Sequence, residues 1–313
     1  MHNKIYIVSL SPSIDYILKF NNFIKNKTNR PTDQYMYAAG KAIHISMLLN
    51  RLNIDNELLV FTNGSFETFF YNDLKKENIK YKQFKANGDI RINLKIIDDS
   101  QTESSSYAPE INISELDKLK AYLNEVLKKD DVLILTGSLP VNTDTNIYAQ
   151  LVELANLKKA YSVVDSFKEP LLKAVDKKPF LIKPNKDELE ATFNKELKND
   201  SDIINQSKIL LKKGCKNVLV SLGSDGAILV TSTKIYKASL PKWNYKVDNV
   251  AGAGDSMIAG FISKYLQTND YIKALKFSLI CGSATAFSCK IASKEFIDEL
   301  SNYVDEIDIK EIN

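Results

Sequence analysis

The chain has 313 residues, 44% hydrophobic and 26% charged, with 42 basic against 39 acidic side chains and a formal net charge of +3. The charges are dispersed, with no dense basic block, which argues against a nucleic-acid partner. No apolar run approaches the roughly 18 residues of a membrane span, so no membrane partner is expected. His2 and His44 are the only histidines, so a multi-histidine metal site and a Ser-His-Asp hydrolase site are excluded, and catalysis must rest on carboxylates, lysines and backbone dipoles.

The N-terminal run KIYIVSL (residues 4–10) predicts a buried strand. It lacks the long apolar core and small-residue cleavage site of a secretion signal. Cys215, Cys281 and Cys289 make neither a disulfide framework nor a zinc signature, and a cytoplasmic, reducing location is expected. Further strands are predicted at NELLVF (56–61), DVLILTG (131–137), YSVVDS (161–166), PFLIKPN (179–185) and NVLVSLG (217–223). Helical patterns at 42–52, 113–127, 145–156, 186–193 and 201–213 lie among them. This alternation predicts an α/β fold, a mostly parallel sheet with helices on both faces, in one domain spanning residues 1–313. Two segments, at about 14–38 and 80–108, alternate with period 2 instead. They predict a small β-sheet inserted as a lid over a site. The acidic tail 303–313 reads as a surface extension. Arg is confined to Arg30, Arg51 and Arg91 while Lys supplies the other 39 cations, so each Arg raises the question of a planar, bidentate contact.

Five stretches could carry chemistry. Gly252-Ala253-Gly254-Asp255 precedes an apolar, helix-spaced run: free N–H groups at a helix start hold anions, small residues let a phosphate approach, and Asp255 could act as a base. A glycine-rich turn with an Asp cap explains the same letters. It is not a dinucleotide fingerprint, because Met257 stands where the third Gly belongs, and Ala42 after Gly40-Lys41 excludes a Walker A loop. Lys183-Pro184-Asn185-Lys186-Asp187-Glu188 follows a strand, where open α/β sheets bind ligands. Asn185 and Glu188 could hold Mg²⁺, or simply form a capping box. Ser221-Leu222-Gly223-Ser224-Asp225-Gly226 is either a nucleotide turn or a hairpin. Lys41, opening a helix after Ala39-Gly40, suits an anionic substrate group, and Arg91 could fork onto a phosphate.

The order of these stretches is more specific than any one of them. Asp15, AGKAIHIS, RINLKI, LTGSLP, IKPNKDELE, VSLGSDGA, AGAGDS and CGSATAF follow one another in a way that resembles the PfkB-type (ribokinase-like) carbohydrate kinases, and within them the 1-phosphofructokinase and tagatose-6-phosphate kinase group. The resemblance covers about residues 4–300. It implies an ATP- and Mg²⁺-dependent kinase that phosphorylates a hydroxyl of a hexose monophosphate, with fructose 1-phosphate first. Tagatose 6-phosphate and fructose 6-phosphate are alternatives, and so is a sugar-phosphate-binding homologue without catalysis. By the same resemblance Gly252, Ala253 and Gly254 form the anion hole and Asp255 is the base. Asn185 and Glu188 organise Mg²⁺, while Lys183, Ser221, Gly223, Gly226 and Ser283 serve the nucleotide. Asp15, Gly40, Lys41, His44, Arg91 and Ser138 serve the sugar phosphate. A homodimer paired through the lid is a further expectation, since an exposed sheet edge invites a partner.

The chain departs from the family's pattern mostly on the sugar side. Ala39 and Ala42 replace glycines, His44 replaces an amide, Ser105-Ser106-Tyr107-Ala108-Pro109 replaces a glycine-proline run, Asn63-Gly64-Ser65-Phe66-Glu67 replaces a glycine-rich turn, and Val250 replaces a threonine. The alternating α/β pattern alone would also admit a nicotinamide oxidoreductase, which the missing third glycine opposes.

Overall fold

The computed structural model describes residues 3–312. The chain opens with β1 (Ile5–Ser9), buried at every residue, followed by β2 (Ser13–Lys19), β3 (Asp33–Ala39) and α1 (Lys41–Arg51). Next come β4 (Asn56–Thr62), α2 (Glu67–Lys76), β5 (Tyr81–Lys85), β6 (Arg91–Ile97) and β7 (Gln101–Ser105). A run of alternating elements follows: α3 (Ile113–Val126), β8 (Val132–Thr136), α4 (Ile147–Leu157), β9 (Tyr161–Asp165), α5 (Lys168–Val175), β10 (Leu181–Ile182), α6 (Lys186–Phe193), α7 (Asp200–Lys213) and β11 (Asn217–Ser221). The chain then forms β12 (Ala227–Thr231), β13 (Ile235–Ser239), α8 (Ala253–Thr268), α9 (Tyr271–Ala286), α10 (Lys294–Ser301) and β14 (Asp308–Ile312).

Ten strands make the main sheet in the order β14-β13-β12-β11-β10-β9-β8-β1-β4-β5. Pairing is parallel from β5 through β11 and antiparallel from β11 to β14. The predicted strands are continuous apolar runs because both their faces are covered. Successive residues of β1 show this: Ile5 and Ile7 pack toward α1, α8 and α9, while Tyr6 and Val8 pack toward α3, α4 and α7.

β3-β2-β6-β7 form a separate four-stranded sheet, in which β2 runs parallel to β6. The structure moves two sequence boundaries. Tyr81–Lys85, whose alternation suggested the small sheet, is the edge strand of the main sheet, paired in parallel with β4. Its period-2 pattern reflects an edge with one buried residue, Phe84, and more exposed neighbours. Residues 308–312, expected to be a surface extension, add β14 antiparallel to β13; Asn313 lies outside the described residues. Their charge is compatible with an edge strand whose side chains face solvent.

The Ser221–Gly226 turn joins β11 to β12, and its second glycine is demanded by packing. Gly226 has φ +92°, and a Cβ there would collide with the carbonyl oxygen of Ala238 on β13. Gly226→Ala is therefore expected to lower stability by roughly 2–4 kcal/mol, read as a lower urea midpoint with an unchanged m-value.

Candidate active site

The site lies at the carboxyl ends of β9, β10 and β11, where an open parallel sheet exposes its strand ends. β9 ends on Asp165, which is fully buried. Its Oδ1 is 3.5 Å from Lys183 Nζ, just past β10, and its Oδ2 is 3.2 Å from Lys41 Nζ at the start of α1. Thr136 Oγ1, at the end of β8, donates to Oδ2 at 3.1 Å. Burial alone would lift the Asp165 pKa; Lys183 and then Lys41 outweigh it and hold the carboxyl below its ordinary 3.8. Burial likewise opposes the charge on Lys41, but Asp165 and Glu188 overcome it and its pKa is raised. Lys41 is thus neither a solvated lysine nor an unpaired cation: Nζ also donates to Glu188 Oε1 at 3.1 Å.

Asn185 and Glu188 form the capping box of α6. Asn185 Oδ1 accepts from the Glu188 N–H at 2.7 Å, and Glu188 Oε2 accepts from the Asn185 N–H at 3.0 Å. The capping explanation of this pair therefore holds, and the cap is also joined to Lys41. Asn185 forms a parallel bridge with Ser221, and the Ser221 N–H donates to Pro184 O at 3.3 Å, which brings the Gly223 turn alongside.

α8 enters from the other side. Gly252 is its N-cap, with φ +83° and no side-chain cap. Ala253 N–H donates to Val250 O, but among the described residues no acceptor takes the N–H of Gly254 or Asp255. These are the orphan donors that make a helix start an anion site. A Cβ at Gly254 would lie 3.1 Å from Lys183 Nζ, so the ammonium sits directly against that backbone. Asp255 is 5% exposed, and its Oδ2 is 2.8 Å from His44 Nδ1. Ser283 lies on α9, whose Gly282 packs against Ala253 O, placing it beside the first turn of α8.

A second group lies on the small sheet. Asp15 is buried; its Oδ1 accepts from Asn93 Nδ2 at 2.8 Å and its Oδ2 pairs with Lys95 Nζ at 3.1 Å. Arg91 Nη2 donates to Ser11 O at 3.3 Å, while Nε is buried without a partner. Burial pushes the Arg91 pKa down, against the Asp15 carboxylate. Ser138 Oγ lies 3.5 Å from Ser11 Oγ, so Ser11 links Arg91 and Ser138. Gly40 joins the two groups: a Cβ there would lie 3.7 Å from both Pro12 Cα and Ser13 N. Gly40 requires glycine at φ +116°, whereas neither Ala39 nor Ala42 has positive φ, so the alanines are free of backbone strain. Of the other arginines, Arg51 is spent on Ile291 O, Ala292 O and Glu77, and Arg30 is exposed.

Asp165, Thr136 and Lys95 were not singled out from sequence. The available signal was a carboxylate closing a predicted strand, YSVVDS, at the edge where α/β ligands bind.

Residues 4–292 match the pfkB family of carbohydrate kinases. The chain belongs to that family. It is accordingly a phosphotransferase with an alcohol acceptor. The 1-phosphofructokinase of Bacillus subtilis (strain 168) is 34% identical, over 95% of this chain and 97% of its own length. The D-tagatose-1-phosphate kinase of Bacillus licheniformis is 31% identical, over 96% of this chain and 98% of its own length. In fold, the chain is similar to the phosphofructokinase-2 from Escherichia coli in complex with substrates and products, at 24% identity and a TM-score of 0.89, covering 96% of this chain and 99% of that one. The ribokinase-like architecture expected from sequence is thereby established. No helix among the described residues is long and apolar enough to cross a membrane.

Removing the Asp165 charge leaves the buried Lys183 ammonium without a carboxylate and Lys41 with Glu188 alone. Asp165→Asn is expected to destabilise the protein by about 3–5 kcal/mol at neutral pH, seen as a lower thermal midpoint. The stabilisation from Asp165 is complete above its ordinary pKa and is lost as acid carries the protein down through the lowered value. The variant's midpoint should therefore fall less steeply than the parent's below about pH 4.

Proposed function

We propose that this kinase transfers the γ-phosphoryl group of ATP to a free hydroxyl of a ketohexose monophosphate, fructose 1-phosphate first, giving the 1,6-bisphosphate. The carrying observation is the Lys183 ammonium against the Gly254 backbone, which brings the amino end of α8 next to the Lys183–Glu188 segment. Phosphoryl transfer asks mainly for positioning and for charge stabilisation where charge moves. In this reading the N–H groups of Gly252, Gly254 and Asp255, with Lys183, receive the negative charge migrating from the nucleotide; the Ala253 N–H, expected from sequence to join them, is taken by Val250 O, so Ala253 contributes only its small size. Asp255, at the same helix start, takes the proton of the acceptor hydroxyl.

Asn185, Ser221, Gly223, Gly226 and Ser283 flank the nucleotide. Asn185 and Glu188 already bind one another, and among the described residues no cluster of three or more His, Cys, Asp or Glu side chains could hold a metal. Asn185 and Glu188 are the residues that would hold a hydrated Mg²⁺ brought by the nucleotide. When bound, the ion would neutralise phosphate charge. On the acceptor side Asp15 receives hydrogen bonds from sugar hydroxyls, with Gly40 and Lys41 at the sugar turn. Arg91 and Ser138 take the phosphate already on the sugar. The buried, unpartnered Nε of Arg91 supports this, because a phosphate oxygen would satisfy it.

The names of the relatives favour acceptors phosphorylated at C1, while the tagatose-6-phosphate kinase of Staphylococcus epidermidis, 29% identical, keeps a C6 phosphate in play. A coupled ADP-release assay over fructose 1-phosphate, tagatose 1-phosphate, tagatose 6-phosphate and fructose 6-phosphate decides. Activity is expected to be highest with fructose 1-phosphate, and inactivity of pure, folded protein with all four would overturn the reading. Asp255→Asn should lower kcat by about 10²–10⁴ with ATP affinity nearly unchanged. Arg91→Lys should raise the acceptor KM roughly tenfold and leave the KM for ATP alone, since an ammonium cannot reproduce the fork. The lid sheet offers its outer strands β3 and β7 to a second copy, and a homodimer of this kind would show as twice the chain mass in sedimentation equilibrium.

A further inference from the structure

We propose that His44 is a positioning residue for Asp255 and not, as its place in the motif suggested, a ligand of the sugar. The proposal rests on the reading of Asp255 as the base. A carboxylate only accepts, so the 2.8 Å contact puts a proton on His44 Nδ1, donated to Asp255 Oδ2. That length is typical of an N–H donor bonded to a carboxylate oxygen. The bond engages one oxygen and fixes the carboxylate plane. Oδ1 is then the atom that receives the acceptor's proton.

The imidazole is held from several sides. The backbone N–H of His44 donates to Gly40 O at 3.1 Å in the first turn of α1, which fixes the main chain that carries the ring. Gly252 backs the ring: a Cβ there would lie 3.3 Å from Nδ1 and 3.5 Å from Cγ, with Ile291 Cδ1 at 2.5 Å on the same side. A methyl group at 252 would clash with Ile291 Cδ1 and press on the ring, so this glycine serves the imidazole as well as the helix start. Lys41, three residues earlier on the same helical face, is spent on Asp165 and Glu188. Among the described residues, His44 is the only side chain hydrogen-bonded to Asp255.

The experiment is steady-state kinetics on His44→Ala, His44→Asn and His44→Gln, alone and combined with Asp255→Asn. His44→Ala should lower kcat about 10–100-fold, with KM for ATP and acceptor within about threefold, the signature of a misaligned base. His44→Asn places an amide N–H near the position of Nδ1 and should recover most of the loss. His44→Gln carries its amide one bond further out and should recover little. Comparing these two folded polar variants keeps the question open to test even if the alanine variant is unstable. In the Asp255→Asn background, His44→Ala should add no further loss, because its effect runs through the missing carboxylate.

A rise in acceptor KM at unchanged kcat would return His44 to the sugar site and overturn the proposal. So would equal recovery by Asn and Gln, or the same fold-loss from His44→Ala with and without Asp255. If Asp255→Asn alone proved fully active, the base assignment would fail first, an outcome visible without any His44 variant.

Discussion

Asp165 holds the site together. One carboxylate, sealed at the end of β9, faces an ammonium from α1 and another from the strand end next door. Such a group is not an efficient source of stability, since desolvating three charges consumes most of what their attraction returns. Its effect is geometric. With Asp165 in place, Lys183 reaches up against Gly254 and Lys41 is drawn toward the cap of α6. The positive charge that a phosphoryl-transfer site needs is thus anchored to a buried strand end instead of resting on surface lysines.

The amino ends of two helices meet over this floor. α1 contributes Lys41 downward to the carboxylates and His44 sideways to Asp255, while α8 contributes unpaired N–H groups and the acid itself. The glycines follow from this convergence. Gly40 needs its φ of +116°, Gly252 needs both its φ and its lack of a side chain, and Gly254 leaves room for the Lys183 ammonium. Alanine at 39 and 42 is accommodated because the chain there is ordinary strand and helix.

Much of this was legible before any coordinates. Buried parallel strands announce themselves as unbroken apolar runs, and motifs such as Gly252–Asp255 or Asn185–Glu188 are local, so their spacing survives in the letters. Asp165 was hidden for the opposite reason: a single Asp after Val164 has no local pattern, and its meaning comes from Lys41 and Lys183, distant in sequence and joined by the topology. His44 stood in a recognised motif, but its partner lies 211 residues away. Tyr81–Lys85 misled because an edge strand of the main sheet alternates much as a small-sheet strand does. The last residues misled because net acidity says nothing about backbone pairing.

β14 gives the architecture a temporal order. β13 has β12 on one side, and on the other it meets residues that come some seventy positions later. A chain emerging from the ribosome therefore displays the bare rim of Ile235–Ser239 until α8, α9 and α10 have all been made. Until the final hydrogen bonds form, that rim is open to strands of neighbouring nascent chains, and only the arrival of Asp308–Ile312 shields it.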